Sequence, residues 1–275
     1  MKRHTRPAKR HTWGKWGISA LVAAALVCAL GVWRVSAHGR MPLPVLMYHH
    51  VVADGTECND MTVTESRLEK DLCWLRDRGY QTVLPRELAK GDPLPEKPVL
   101  ITFDDGYRSN YDLLYPLLQK YQMKAVISII VEMPELPTDN FVTWDMCREM
   151  VGSGLVEIGS HSYELHNLGD LGGSFDPNGV NGIQRRHGES DEGFQTRVLD
   201  DIQKSYDLID QKVGQAPVFF AYPFGVKEPD AEELVNRLFP VTAVTKPKIA
   251  DLKRGFHDLP RITVTMNREL SGVLK

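Results

Sequence analysis

PVLITFDDGYRSN, residues 98–110, runs from five apolar or β-branched side chains straight into two adjacent carboxylates and a glycine. A short apolar run without alternation, stopped by a turn residue, reads as a strand buried on both faces, as in a parallel sheet. Ligands gather at the carboxyl ends of such strands, where Asp104 and Asp105 stand. Gly106 lets the backbone turn sharply enough for both carboxylates to face one place. Two anions kept a few ångströms apart need a cation between them or a proton on one of them, and a metal ion is the simpler solution.

Outward from this stretch, strand-like and helix-like segments alternate. LPVLMYHHV (43–51) reads as a strand. Residues 64–80 place Leu68, Leu72 and Leu75 at helical spacing, with Thr64 as N-cap and Gly79 as stop. After VLITF come a helix over 110–122, a strand over 124–131, a helix over 143–154 and a strand, LVEIGSH, over 155–161. A helix near 194–213, VFFAYPFG (218–225), a helix near 228–238, VTAV (241–244) and RITVT (261–265) complete the series. Repeated β-then-α order implies a parallel sheet with helices outside, either open or closed into an α/β barrel. The stretch from 169 to 193 is polar and glycine-rich, which implies a surface loop at the rim of the site.

LVEIGSHSYELH is a second buried-strand run that ends in a potential ligand, His161, with His166 five residues later. On a regular helix that spacing separates the two side chains by about 140°, so a helix could not bring both to one ion. A strand end followed by a tight turn can. Asp105, His161 and His166 would then form a two-histidine, one-carboxylate set that leaves positions for water and substrate, as in hydrolytic zinc sites.

The chain has 275 residues, long enough for one sizeable domain plus a separate segment. Residues 1–40 carry eight basic residues and no acid, with an uncharged run of 18 residues from 16 to 33. That run is long enough to span a hydrocarbon core as a helix, with the basic side cytoplasmic. VSA at 35–37 also offers a signal peptidase small residues, so an uncleaved anchor and a cleaved leader both stand. Either way, a domain spanning 41–275 is expected to be exported, membrane-anchored or secreted after cleavage near Ala37. The remainder holds 25 basic against 36 acidic residues, a formal charge of −11, which argues against nucleic acid or anionic lipid as its partner. Cys58, Cys73 and Cys147 show no CxxC spacing and read as buried free thiols, one incidental pair being possible.

TFDDGY (102–107), SHSYELH (160–166) and YPFG (222–225), in that order, resemble the polysaccharide deacetylases of carbohydrate esterase family 4, the NodB-like fold. More narrowly, LMYHHV (46–51), the histidine spacing, TWDMCREM (143–150) and LPRITV (259–264) resemble the poly-N-acetylglucosamine deacetylase branch. The similarity runs from about residue 43 to 265. It implies a distorted (β/α) barrel with parallel strands and a hydrolase that removes N-acetyl groups from an extracytoplasmic polysaccharide. Poly-N-acetylglucosamine is the first expected substrate and peptidoglycan the second. One divalent ion is implied, zinc first, with nickel, cobalt or iron able to occupy the same ligands.

The resemblance also assigns roles. Asp104 matches the general base, and Asp105, His161 and His166 match the metal ligands. The backbone N–H of Phe224 matches the donor to the developing oxyanion, in a loop shaped by Pro223 and Gly225. Most relatives supply the general acid from a C-terminal histidine, but no histidine follows Arg261 here. In the narrower branch the acid comes from the N-terminal strand, where His49 is the match and His50 should point to the opposite face. Many relatives place an arginine just before the loop at 222–225; VFFAYPFG has none, and Arg261 is the candidate to hold Asp104 instead. Tyr107, Trp144 and Tyr222, with Pro223, lie near motif ends as candidate sugar contacts. An O-deacetylase of the acetyl-xylan type would use the same residues. A catalytically dead glycan-binding protein would lack at least one of Asp104, Asp105, His161 and His166, and all four are present.

Overall fold

The computed structural model of the protein describes residues 41–166 and 182–274. The uncharged run at 16–33 therefore lies outside the described residues, as does most of the glycine-rich stretch, and no helix among the described residues is long and apolar enough to cross a membrane. Residues 42–275 form one compact unit.

Seven parallel strands build it: β1 (Val45–Tyr48), β2 (Pro98–Asp105), β3 (Ala125–Ile129), β4 (Val156–Ser160), β5 (Phe219–Ala221), β6 (Val241–Thr245) and β7 (Leu259–Thr263). Each lies beside the next in chain order, and β7 returns to β1, with Ile262 opposite Leu46. The β1–β2 pair, Val45–Tyr48 against Leu100–Phe103, closes the ring, so the sheet is a barrel rather than an open one. Among the described residues the α-helices are α1 (Glu65–Asp77), α2 (Pro85–Lys90), α3 (Tyr115–Tyr121), α4 (Trp144–Gly152), α5 (Asp191–Val213), α6 (Pro229–Leu238) and α7 (Leu270–Val273).

Both faces of the strands are covered, which is why they lack polar alternation. Inward-facing Val45, Leu100, Val126, Phe219, Ala221, Val241, Ala243 and Leu259 fill the barrel. Outward-facing Ile101, Phe103, Ile127, Ile158 and Ile262 pack with Leu68, Leu72 and Leu75 of α1 and Met150 of α4. Phe220, Tyr222 and Val244 do the same with α5 and α6. Continued by alternation to the carboxyl ends, the inward series turns polar: His49 after β1, Asp104 on β2, Ser128 on β3, His161 after β4, Thr245 on β6 and Arg261 on β7. The barrel is largely apolar below, with the buried Glu157 paired to Arg86 as an exception, and charged at its mouth.

Several elements differ from the sequence reading. The strand expected over 43–51 breaks at His49; beyond it, His50–Val52 leaves the barrel to pair with Thr62–Thr64. The helix expected over 110–122 opens with a wide π-helical turn, Asn110–Leu114, in which the Tyr115 N–H donates to Asn110 O five residues back. Pro116, with no N–H of its own, follows in the first turn of α3. Helix α5 starts at Asp191, inside the stretch expected to be loop, because the Ser190 side chain caps the Gly193 N–H. That stretch is not all surface either: Ile183 is fully buried and the Gly182 N–H donates to Leu165 O at 2.8 Å. Cys58, Cys73 and Cys147 are free, but only Cys147 is buried.

Candidate active site

By alternation Asp105 should face outward, on the side of Phe103. It does not, because its own backbone takes φ 72° and Gly106 takes φ 78°, which swings the carboxylate back over the mouth beside Asp104. The turn is therefore shared between the aspartate and the glycine, where the sequence reading gave it to Gly106 alone. A Cβ at Gly106 would lie 2.7 Å from Ile129 Cγ2, so close approach to β3 demands glycine as much as the dihedral does.

On β4 the chain continues through His161 and turns at Ser162, φ 70°, to bring His166 back. Asp105 Oδ1 lies 3.6 Å from Nε2 of His161 and 3.6 Å from Nε2 of His166, and one ligand atom from each of the three residues lies within 4.8 Å of the others. In a tetrahedral shell with bonds of about 2.0–2.1 Å, ligand atoms stand about 3.4 Å apart, so this donor set fits a single divalent ion. The donor chemistry agrees. His161 Nδ1 is 2.8 Å from Ala221 O, a carbonyl that can only accept, so the proton sits on Nδ1 and Nε2 presents its lone pair. Burial pushes the His161 pKa down to about 4, the Asp104 carboxylate opposing it, so the imidazole is neutral.

Asp104 has a different partner. Its Oδ1 accepts from Arg261 Nη1 at 2.7 Å, with Arg261 1% and Asp104 2% exposed. The same Nη1 lies 3.3 Å from Thr102 Oγ1. Burial alone would raise the Asp104 pKa, but the Arg261 guanidinium outweighs it, through its charge and its hydrogen bond, and holds the carboxyl at about 2. One carboxylate thus faces two imidazoles and the other a guanidinium, and the guanidinium keeps Asp104 ionised.

His49 follows β1 on the inward side, while His50, beyond the break in the strand, stacks on Tyr107 with ring centroids 4.6 Å apart. Burial lowers the His49 pKa; Asp104 works against that, Arg261 and His166 with it. Phe224 takes φ 58° in the turn after β5, in which the Gly225 and Val226 N–H groups donate to Tyr222 O and Pro223 O. This leaves the Phe224 N–H as the turn's candidate donor to a substrate.

The proposed sugar contacts divide. Tyr107 is partly exposed and stacks between His50 and Phe141, the latter at 5.3 Å. Tyr222 is fully buried among Phe220, Val244 and the faces of α5 and α6, Trp144 is 8% exposed with its Nε1–H on Glu135, and Pro223 is buried. None of these three presents a face to a sugar: Tyr222 lies at an outward-facing position, which the helices cover. The exposed aromatic at the site is instead the side chain of Phe224, 45% exposed, with its ring 4.7 Å from that of His166.

Sequence reasoning missed the supports of these groups. Asn110, fully buried in the π-helical turn, donates from Nδ2 to His49 O at 3.0 Å, and Ser109 Oγ accepts the Val51 N–H at 3.2 Å. On α5, Asp201 reaches the turn between His161 and His166, and Ser205 reaches Ser160 at the end of β4 just before it. The signal for these two was readable: they interrupt an otherwise apolar stripe of Phe194, Val198, Ile202 and Ile209.

Comparison with known proteins agrees with this geometry. Residues 91–239, more than half of the chain, match the polysaccharide deacetylase family. Over 248 residues the chain is 29% identical to the poly-β-1,6-N-acetyl-D-glucosamine N-deacetylase of Escherichia coli K12, covering 82% of this chain but only 37% of that protein. It is 30% identical over 228 residues to the Bacillus subtilis protein YxkH, named among the polysaccharide deacetylases, covering 81% of this chain and 71% of that one. Among solved structures, a de-N-acetylase from Aggregatibacter actinomycetemcomitans superposes with a TM-score of 0.72 at 27% identity, covering 85% of this chain and 100% of that one.

Proposed function

Because the chain belongs to the polysaccharide deacetylase family, we propose that it is a metal-dependent hydrolase acting on the N-acetyl groups of N-acetylglucosamine residues in an extracytoplasmic polysaccharide. Poly-β-1,6-N-acetylglucosamine is the first substrate and peptidoglycan the second; the first rests on the likeness to the E. coli enzyme. In this reading residues 1–40 are a membrane anchor or leader and residues 41–275 the catalytic domain. The observation that carries it is the Asp105, His161 and His166 donor set, within 4.8 Å, beside a second carboxylate that is held apart by Arg261 at 2.7 Å.

Asp105, His161 and His166 would hold the ion, zinc in the first instance, which when bound polarises the acetamide carbonyl and makes water acidic enough to ionise near neutrality. The protein's own groups do the rest. Asp104, ionised and oriented by Arg261, takes a proton from the attacking water. The Phe224 N–H donates to the carbonyl oxygen as it gains charge. His49, taking a proton from solvent, delivers it to the amine nitrogen as the C–N bond breaks, and Asp104 passes the proton it took to solvent; an imidazole with a lowered pKa is a stronger acid once it carries that proton. The Phe224 ring is the stacking contact the mouth offers a sugar, and Tyr107, held between His50 and Phe141, offers only its edge.

The test is incubation of the purified protein with β-1,6- and β-1,4-linked N-acetylglucosamine oligomers, with and without chelator. Free amine and acetate should appear in equal amounts, faster from the β-1,6 series, and stop on chelation. Acetate from acetylated xylan without free amine would make the protein an O-deacetylase. Binding to the oligomers without release of acetate would make it a glycan-binding protein on the same scaffold.

A further inference from the structure

Two polar side chains stand on the apolar, inward face of α5: Asp201, 7% exposed, and Ser205, fully buried. The two oxygens of Asp201 accept one backbone N–H each, from Tyr163 at 2.8 Å and from Glu164 at 2.9 Å. Ser205 donates its hydroxyl hydrogen to Ile202 O at 2.8 Å. The hydrogen in its 2.8 Å contact with Ser160 Oγ therefore comes from Ser160, whose oxygen accepts the Ser162 N–H at 3.1 Å. Three successive N–H groups, 162 to 164, are thus fastened to α5, directly or through Ser160. They are the middle of the turn that joins His161 to His166. The turn contains a left-handed serine, Ser162 at φ 70°, a conformation that persists only where its surroundings hold it. From the other side the Val131 and Glu132 N–H groups donate to Ser162 O and Tyr163 O, both at 3.1 Å.

We propose that Asp201 and Ser205 are positioning residues of the candidate metal site: by fixing the backbone at 162–164 they set the distance of His166 from His161 and Asp105. This rests on reading those three side chains as ligands. A carboxylate is the group the position needs, because only it offers an acceptor to each of two adjacent N–H groups. An asparagine offers one oxygen and sets its NH2 against the other donor. Neither Asp201 nor Ser205 touches an ion or a substrate, so their effect must be read at the ligands.

The experiment uses the full chain, with Zn2+ titrated against a chromophoric chelator near neutral pH, the Co2+ absorption spectrum of each protein, and thermal unfolding in excess EDTA. The parent and Asp201→Asn, Asp201→Ala and Ser205→Ala variants are compared. Removing a partner that orients a metal ligand typically weakens binding by about 10–100-fold; Asp201→Asn should show that loss with a changed Co2+ spectrum, and Ser205→Ala a smaller loss in the same direction. Parental affinity and spectrum in the variants, whatever their melting temperature without metal, would overturn the inference and leave a purely structural role. If the Asp201 variants do not fold, Ser205→Ala, which removes one hydroxyl, decides by the same readouts. A parent that binds no ion would overturn the ligand reading itself, and the inference with it; a parent that binds while the variants match it removes the inference alone.

Discussion

Asp104 and Asp105 are adjacent in sequence and sit in different electrostatic surroundings: Asp104 accepts from Arg261 at 2.7 Å, Asp105 lies 3.6 Å from each of two imidazoles. The difference predicts separable phenotypes. Asp104→Asn should keep its metal and lose about 10²–10⁴-fold in rate, the usual contribution of a general base. Asp105→Ala and His166→Ala should lose the metal, and elemental analysis of the purified variants separates the two classes. Arg261→Met removes one partner of a pair buried to within 1–2% exposure and leaves an unpaired buried carboxylate, a change that costs about 3–5 kcal/mol, measurable by urea unfolding. A pH dependence follows from Asp201. Burial raises its pKa to about 6, while the Glu164 and Tyr163 N–H groups pull it down. A carboxyl whose folded pKa lies above its unfolded value stabilises the fold least when ionised. Chelator-treated protein should therefore lose about 3 kcal/mol of stability as pH rises from about 4 through 6, and Asp201→Asn should flatten that slope.

The strand ends do most of the positioning, and each relies on a local departure from regular geometry: a break at His49, left-handed residues at Asp105, Ser162 and Phe224, and a π-helical turn at Asn110–Leu114. Gly106 and Gly91 separate dihedral strain from crowding. Both have positive φ, 78° and 71°, but a Cβ at Gly91 meets nothing within 4 Å whereas one at Gly106 meets Ile129 Cγ2 at 2.7 Å. Gly91→Ala should cost about 1 kcal/mol and Gly106→Ala about 1–3 kcal/mol more, read from chemical denaturation of the two variants. The sequence showed that an element ends at three of these places, through Gly106, the polar residues after Ile158 and the Pro223–Gly225 pair, but it ran a strand through His49 and a regular helix through 110–114. It did not show how the chain leaves, because a left-handed aspartate or serine has no compositional mark of its own. The early start of α5 was legible in Ser190, Asp191 and Glu192, an N-cap followed by acids, but the polar composition around it outweighed that signal.

At the scale of the molecule, closure of the ring brings β7 beside β1, one strand from β2, and only then can Arg261 meet Asp104, 157 residues away in the chain. The compact unit at 42–275 contains every residue of the candidate site. Residues 41–275 produced alone should be soluble and show the same thermal midpoint as this unit in the full chain. If the run at 16–33 is a retained anchor, the full chain should stay in the membrane fraction through alkaline carbonate extraction. Recovery in the soluble fraction with residues 1–37 removed would make it a cleaved leader.

The alternation of strands and helices, the strand-end carboxylates and the convergence of Asp105, His161 and His166 were legible in the sequence, because each rests on a short-range signal: an apolar run, the turn that stops it and the donor types at the stop. The β-then-α order left open and closed sheets both standing, and the resemblance implied the barrel; tertiary structure alone decided that Tyr222, Trp144 and Pro223 are covered while the Phe224 ring is not, and that Asp201 and Ser205 hold the histidine turn from a separate helix. Periodicity marks which side chains leave water, but not which distant surface covers them; burial and pairing across the barrel depend on contacts between residues far apart in the chain.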